Sequence, residues 1–208
     1  MKKFNLMQIL PSLQSGGVEQ GTIDLANFLA SLEIKNHITS NGGQLLSHLN
    51  KKYVEHNTLP VHSKNFLKIP FTAKKINQIV NKNDINILHI RSRAPAWLLP
   101  YINKQNIKTV STFHNVYGRQ NLIKRIYNKQ LSKVDKIVAI SDYVKQEIVN
   151  AYKIKPDKIT VINRGIDVNF LNSIIDSEDS FIKFLNEKNK NINKNIILFP
   201  GRLTSWKG

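Results

Sequence analysis

Arginine is scarce in this basic chain, and its few positions indicate where an anion would bind. The 208 residues include 31 lysines and arginines against 14 aspartates and glutamates, for a formal net charge of +17. Lysine, asparagine and isoleucine are abundant, as in AT-rich codon usage, so a position that needs only charge can become lysine. An arginine kept against that bias indicates bidentate contact with phosphate or carboxylate. The six are Arg91, Arg93, Arg119, Arg125, Arg164 and Arg202.

Two of these arginines follow one predicted strand. The sequence His89-Ile90-Arg91-Ser92-Arg93 ends an apolar segment and places Arg91 and Arg93 just beyond its carboxyl end. Two guanidinium groups within three residues at a strand end indicate an anionic ligand, and a solvated sheet edge is the alternative.

A glycine pair lies in the first loop, between a predicted strand and a predicted helix. Gly16 and Gly17 let the backbone approach a ligand closely, and the N–H groups of the following helix would attract an anion. The spacing is not the G-x-G-x-x-G fingerprint of dinucleotide-binding proteins, which argues against a dehydrogenase. A plain glycine turn is the alternative interpretation.

One histidine is distinguished by its position. His114 follows the segment Lys108–Phe113, at the carboxyl end of a predicted central strand, where ligands bind in open α/β sheets. Imidazole donates or accepts hydrogen bonds at neutral pH, although a lone histidine is more often structural. The other histidines have no such placement: His37, His48, His56, His62 and His89.

The elements that position these residues alternate between strands and helices. Short apolar blocks, several of them continuously apolar, predict a buried parallel sheet covered by helices on both faces. The fold class is therefore α/β, a Rossmann-like doubly wound parallel sheet. The predicted strands are Phe4–Leu10, His37–Ser40, Asn57–Val61, Asn86–Ile90, Lys108–Phe113, Lys136–Ile140, Ile159–Ile162 and Asn195–Phe199. The predicted helices are Val18–Leu32, Ala94–Lys104, Asn121–Ser132 and Asp142–Tyr152, and Ser141 or Asp142 is expected to cap the last one.

The alternation weakens after residue 170, which suggests a domain boundary. We expect an N-terminal domain over residues 1–170, a polar linker over 171–194, and the first strand and loop of a truncated second domain over 195–208. That last loop places Arg202 and Lys207 five residues apart between glycines, a phosphate-binding candidate.

Composition excludes several classes of protein. The chain has no cysteine, hence no disulfide framework and no thiolate metal site, and no metal-ligand cluster is visible. The apolar blocks are too short for a membrane span, and the N-terminus lacks a secretory cleavage site, so we expect a cytoplasmic protein. The basic charge could attract nucleic acid, but no binding motif or aromatic interleaving accompanies it.

The motifs together resemble those of the retaining glycosyltransferase family 4, which has the GT-B fold of two Rossmann-like domains. The resemblance rests on short motifs in the family's order and spacing. The stretch His89–Trp97 and the pair Tyr117-Gly118 resemble bacterial members that act on lipopolysaccharide core. The motifs are Gly16-Gly17-Val18-Glu19, Phe113-His114, Asn163-Arg164-Gly165-Ile166-Asp167 and Pro200-Gly201-Arg202-Leu203 through Lys207-Gly208.

The resemblance implies a function and a role for each motif. The substrate would be a nucleotide-diphosphate sugar, with no further cofactor and no metal, and the acceptor an envelope glycolipid. Gly16 and Gly17 would face the diphosphate or the acceptor. Arg202 and Lys207 would clamp the diphosphate, and His114 would lie beside the transferred hexose.

Further residues and partners follow from the same resemblance. Arg91, Arg93 and Arg119 would bind the acceptor. Because the family's second domain binds the nucleotide, we expect this chain to be inactive alone and to need a separately encoded C-terminal domain, unless it is vestigial. No carboxylate is placed as a double-displacement nucleophile would be, so retention would depend on orientation and charge.

A non-catalytic module that binds the acceptor or an anionic membrane surface is the main rival. In the segment Arg119–Lys133, apolar residues can share one helix face while Lys124, Arg125 and Lys129 lie mostly elsewhere, as in a helix at a membrane interface. The preferred interpretation is an ordinary amphipathic helix that packs its apolar face against the domain.

Overall fold

A seven-stranded, fully parallel sheet forms the centre of the fold. The structure is a computed structural model, and it describes residues 4–117, 121–166, 168 and 187. The strands are β1 Leu6–Ile9, β2 Asn36–Ser40, β3 Val54–Thr58, β4 Ile87–Ile90, β5 Lys108–Phe113, β6 Lys136–Ala139 and β7 Ile159–Val161. Their order across the sheet is β3-β2-β1-β4-β5-β6-β7. The order reverses between β1 and β4, which is the switch point of a doubly wound sheet and confirms the predicted fold class.

Within the described residues, five α-helices connect the strands, with 3₁₀ turns between them. The helices are α1 Gly17–Ser31, α2 Ile69–Lys82, α3 Arg93–Ala96, α4 Leu122–Lys129 and α5 Asp142–Tyr152. The 3₁₀ turns are Gln44–His48, Leu99–Tyr101, Gln130–Ser132 and Pro156–Lys158. None of the described helices is long and apolar enough to cross a bilayer.

The two faces of β1 show how the layers are built. Met7 and Ile9 belong to a large core cluster that continues through β4, β5 and β6 to α2 and α5. Leu10, just after β1, joins a smaller cluster with Ile23 and Ala26 of α1. Helices thus cover both faces of the sheet, which is why β1 and β4 at its centre are buried along nearly their whole length.

Two predicted elements differ from the structure. The predicted strand Asn57–Val61 corresponds to β3, which begins three residues earlier, at Val54. Val54 is the first residue of β3 that pairs with β2, opposite Asn36. Leu59 and Val61 are buried, but in the connection that follows the strand. The predicted helix Ala94–Lys104 is instead α3 and a separate 3₁₀ turn, because Pro100 restricts the residue before it and has no N–H to donate.

One helix was not predicted from the sequence. The long helix α2 buries Ile69, Ala73, Ile76 and Val80 along one face, with Pro70 in its first turn. Lysines and asparagines occupy its other face. The spacing of the buried apolar residues, together with Pro70 as a helix start signal, would have indicated the helix.

The chain divides into two units, Met1–Arg164 and Gly165–Gly208. Nearly all described residues belong to the first. The predicted linker over residues 171–194 and the predicted strand Asn195–Phe199 lie outside the described residues except for Glu187. The boundary placed at residue 170 stays a prediction.

Candidate active site

The candidate site lies at the carboxyl edge of β1, β4 and β5, beside the switch point. In parallel sheets this edge is where ligands bind. A cavity of about 600 Å³ opens instead at the amino edge, lined by residues such as Asn36, His37 and Glu55. None of the predicted site residues lines that cavity. We place the site at the carboxyl edge because the buried polar groups without partners there belong to predicted site residues.

The glycine loop leads directly into the N-terminus of α1. Gly16 precedes the helix with a φ of +156°, a conformation that L side chains rarely adopt. A Cβ on Gly17 would lie 2.6 Å from Nη1 of Arg164, and Nη2 of Arg164 donates a hydrogen bond to the Gly17 carbonyl oxygen. The absence of a side chain at position 17 therefore allows the Arg164 guanidinium to contact the first residue of the helix.

Arg91 is buried against α1 instead of extending into solvent. Its Nη1 donates to Oε1 of Gln8 at 3.1 Å, and Nε2 of Gln8 donates to the Thr22 carbonyl oxygen at 3.0 Å. The Nε of Arg91 is buried without a partner among the described residues. Burial, and secondarily the charge of Arg164, lowers the pKa of Arg91 to about 10, while Asp24 opposes the shift. Arg91 thus stays cationic at neutral pH in a site that lacks full charge compensation.

Two guanidinium groups converge on Gly21, one turn into α1. A Cβ at this position would lie 3.3 Å from Nη2 of Arg91 and 3.6 Å from Nη2 of Arg164. Both arginines therefore lie along the first turn of α1, where the first N–H groups have no acceptor within the helix. Two cations beside a helix N-terminus make a strong anion-binding environment.

His114 lies beside this cationic pair. Both of its ring nitrogens are buried without a hydrogen-bond partner among the described residues. Burial, followed by the charges of Arg91 and Arg164, lowers its pKa to about 3. At neutral pH the ring is therefore uncharged, with one nitrogen donating and the other accepting. Such a ring suits a hydroxyl-bearing ligand better than an anion.

A second histidine, His89, is buried in the sheet near His114. His89 is buried on β4, and its Nε2 lies 2.7 Å from Oγ1 of Thr112 on the neighbouring strand β5. Burial holds its pKa well below the usual value, with Arg91 and His114 adding to the shift. His89 therefore belongs to the packing of the sheet edge, as expected for a structural histidine.

Arg93 points away from Arg91. Its guanidinium carbon lies 4.3 Å from the ring centre of Tyr117, and Nη1 donates to Oδ1 of Asn128 at 3.0 Å. The structure thus brings Arg91, Gly17 and His114 together and places Arg93 against α4. Arg119, Arg202 and Lys207 lie outside the described residues.

The sequence reasoning missed the role of Arg164. It gave residues 163–167 as one of the family motifs and assigned them no role at the site, whereas Arg164 contacts the glycine loop from 147 residues away in the sequence. The available signal was its type, since it is one of only six arginines. Gly21 and Gln8 gave no such signal.

Comparison with known proteins decides the family. Residues 15–170 match the sequence profile described as Glycosyltransferase Family 4. The chain belongs to glycosyltransferase family 4. The described sheet with its flanking helices is the N-terminal Rossmann-like half of the GT-B fold that these transferases share.

Three known proteins show the extent of the similarity. A glycosyltransferase from Rickettsia africae ESF-5 is 39% identical, with a TM-score of 0.81 over 99% of this chain and 55% of that one. Anabaena HepE, solved with UDP and glucose, is 14% identical, with a TM-score of 0.61 over 80% of this chain and 46% of its own; this likeness concerns the fold. The GPI3 subunit of the yeast phosphatidylinositol N-acetylglucosaminyltransferase is 27% identical over 98 residues, 44% of this chain and 22% of its own. The chain spans about half the length of the two solved proteins.

Proposed function

We propose that this chain is the acceptor-side half of a retaining glycosyltransferase that transfers a hexose from a nucleotide-diphosphate sugar to an envelope glycolipid such as lipopolysaccharide core. The observation that carries the proposal is the convergence of Arg91, Arg164 and an uncharged, unpartnered His114 at the glycine loop. This arrangement offers positive charge for a leaving group and neutral hydrogen bonds for a sugar.

The charge suits a diphosphate leaving group. As the glycosidic bond breaks, negative charge develops on the nucleoside diphosphate, and fixed cations stabilise it. We assign Gly16 and Gly17 to the diphosphate, with Arg202 and Lys207 as its clamp from the donor side. These cations would do the work of a divalent metal, so the reaction requires none.

The neutral His114 suits the transferred hexose. Its two unpartnered nitrogens can donate to one sugar hydroxyl and accept from another, which would orient the anomeric carbon. The relative solved with UDP and glucose carries the same fold, which supports a nucleotide sugar as donor.

Retention of configuration would follow if the acceptor hydroxyl approached the donor sugar on the same face from which the diphosphate leaves. Two carboxylates belong to α1: Glu19 packs against Gly16, and Asp24 acts on Arg91. The charges that shift the pKa of His114 belong to arginines. The acceptor hydroxyl would therefore attack on the face the diphosphate leaves, guided by orientation and charge.

A lipid-linked acceptor would require the site to work near the cytoplasmic face of a membrane. The yeast relative is named for transfer to phosphatidylinositol, which supports a lipid acceptor. We assign Arg91, Arg93 and Arg119 to acceptor binding, and Arg91, which also lies beside Arg164 along the first turn of α1, would contact both the acceptor and the leaving diphosphate. Because Arg93 is held by Tyr117 and Asn128, it would bind a different acceptor group from Arg91.

A panel of donors with different leaving groups tests the reaction class. The chain, supplied with a donor-binding half, would be incubated with radiolabelled sugars linked to UDP, GDP and CMP and with membrane extract. We expect transfer from a diphosphate-linked sugar and not from the CMP-linked one, because only a diphosphate matches two cations and a helix N-terminus. NMR of the product should show the donor's anomeric configuration.

Two results would contradict the proposal. Transfer from the CMP-linked sugar alone would exclude the diphosphate assignment, and an inverted anomer would exclude retention. Binding of glycolipid without transfer from any donor would favour the rival function, a non-catalytic acceptor- or membrane-binding module.

A further inference from the structure

Helix α4 does not bury its apolar residues. Leu122, Ile123 and Ile126 are exposed, and the buried residue of this helix is Asn128. Leu131, in the 3₁₀ turn that follows, does enter the core. The interpretation of α4 as an ordinary amphipathic helix is therefore wrong, because its apolar face is presented to solvent.

A second exposed apolar segment leads into α2. Phe66 and Leu67 precede the helix, and Phe71 lies in its first turn. Together with the three residues of α4 they make six large apolar side chains, each between 57% and 80% exposed. We call these six residues the apolar surface.

Aromatic stacking joins the two segments. The ring of Phe66 meets Trp97 edge-on at 5.3 Å, and Trp97 stacks on Tyr127 of α4 at 5.7 Å. Trp97 thus lies between Phe66 and Tyr127 and connects the loop before α2 with helix α4. Large exposed apolar side chains on two connected segments indicate a site of interaction.

The part of the sequence that carries this surface is strongly basic. From His56 to Val134 the chain contains fourteen lysines and arginines and a single acidic residue, Asp84. Lys64, Lys68, Lys124 and Lys129 are exposed beside or within the apolar surface. Apolar and aromatic side chains surrounded by lysines are the composition that binds an anionic membrane interface.

We propose that the apolar surface docks on a bilayer that contains anionic lipids. The six apolar side chains would enter the boundary between head groups and acyl chains, and the lysines would meet lipid phosphates. A second copy of this chain is disfavoured because pairing would bring the two sets of lysines together. A protein partner is disfavoured because lysine is depleted in protein interfaces.

Vesicle flotation tests the docking surface without any sugar donor or acceptor, so its outcome does not depend on the proposed transfer reaction. The vesicles would be phosphatidylcholine alone or with about a third phosphatidylglycerol. We expect flotation with the anionic vesicles only. The variant Leu67→Ser/Phe71→Ser/Ile123→Ser should lower the partition coefficient about tenfold or more, because three buried apolar side chains are lost.

The control variant changes exposed apolar residues elsewhere. Phe28 on α1, Leu32 after it and Tyr143 on α5 are also exposed, so Phe28→Ser/Leu32→Ser/Tyr143→Ser should float like the unmodified chain. Circular dichroism would confirm that both variants keep their helices. Equal flotation of both triple variants would overturn the proposal.

Two lysine variants of equal net charge distinguish a local docking surface from attraction by the overall charge of the chain. Lys68→Gln/Lys124→Gln/Lys129→Gln should weaken binding by about fivefold for each lysine removed. Lys35→Gln/Lys51→Gln/Lys155→Gln, with the same net charge, should change it little. If both sets weaken binding equally, the attraction is non-specific and the surface is not a docking site. Loss of a dimer in the apolar variant, with vesicle binding intact, would assign the surface to self-association and also overturn the proposal.

Discussion

At the scale of single residues, the site depends on side chains that approach each other from distant parts of the chain. The types and strand positions of Arg91 and His114 predicted one shared sheet edge, and the structure brings the two side chains close together there. The contact of Arg164 with Gly17 could not be predicted, because it spans 147 residues and depends on how β7 ends relative to α1. Nor could the separation of Arg91 from Arg93, because two residues at one strand end gave no sign that they diverge.

Replacing Gly17 with alanine should harm the site without harming the fold. The new Cβ would lie 2.6 Å from Nη1 of Arg164 and displace its guanidinium. We expect transfer from low donor concentrations to fall about tenfold or more, as for loss of one charged hydrogen bond. Stability should stay level or rise, since alanine favours a helix more than glycine does.

Gly165→Ala is the matched control, because nothing lies within 4 Å of a Cβ built there. Steady-state kinetics of the two variants in the presence of a donor-binding half, together with urea unfolding, make the comparison. Unchanged donor kinetics in Gly17→Ala would separate the glycine loop from donor binding.

His114 should make the folded protein sensitive to acid. Its pKa is about 3 in the folded state and near 6.5 when the chain unfolds, so the unfolded state binds more protons between these values. The free energy of unfolding should therefore fall as pH drops from about 6.5 toward 3. His114→Gln should lessen that dependence.

The same shift predicts a signature in NMR. The His114 ring should not titrate between pH 5 and 8, and its ring-proton shifts should stay constant there. Titration of His114 near its usual pKa would mean that the ring is hydrated, and the neutral hydrogen-bonding role would be excluded.

At the scale of elements, the sequence predicted strands well where they are buried on both faces. The predicted limits of β5 and α5 match the structure: β5, Lys108–Phe113, is a mostly buried strand, and α5, Asp142–Tyr152, begins after a capping serine. The exposed side of the fold was harder. Polar residues masked α2, and the apolar face of α4 suggested burial that the structure does not have, because periodicity shows a face but not what covers it.

Helix capping gives a stability prediction at this scale. Oγ of Ser141 accepts a hydrogen bond from the Val144 N–H at 3.2 Å, which confirms the expected cap of α5. Ser141→Ala should lower the free energy of unfolding by about 1 kcal/mol. Ser141→Asp, which keeps an acceptor, should retain most of the stability in urea unfolding. Equal losses in the two variants would show that the cap contributes little.

At the scale of the whole molecule, we propose that the chain supplies one half of a two-domain glycosyltransferase. It spans 55% of the related glycosyltransferase from Rickettsia africae and 46% of HepE. We propose that Arg202, Lys207 and a nucleotide-binding domain complete the site. We therefore expect the 208-residue chain alone to bind nucleotide sugars weakly and to transfer nothing. Isothermal titration that gave micromolar binding by the chain alone would contradict this.

The most direct test is sugar transfer to membrane extract by this chain alone and by the chain supplied with a donor-binding half as a second polypeptide. The account predicts radiolabelled glycolipid only when both polypeptides are present. It also predicts that His114→Ala or Arg202→Ala in this chain abolishes the product, while His62→Ala does not. Full transfer by the His114→Ala and Arg202→Ala variants, or no transfer from the folded pair with any nucleotide-diphosphate sugar, would contradict the assignment of this chain as half of a glycosyltransferase.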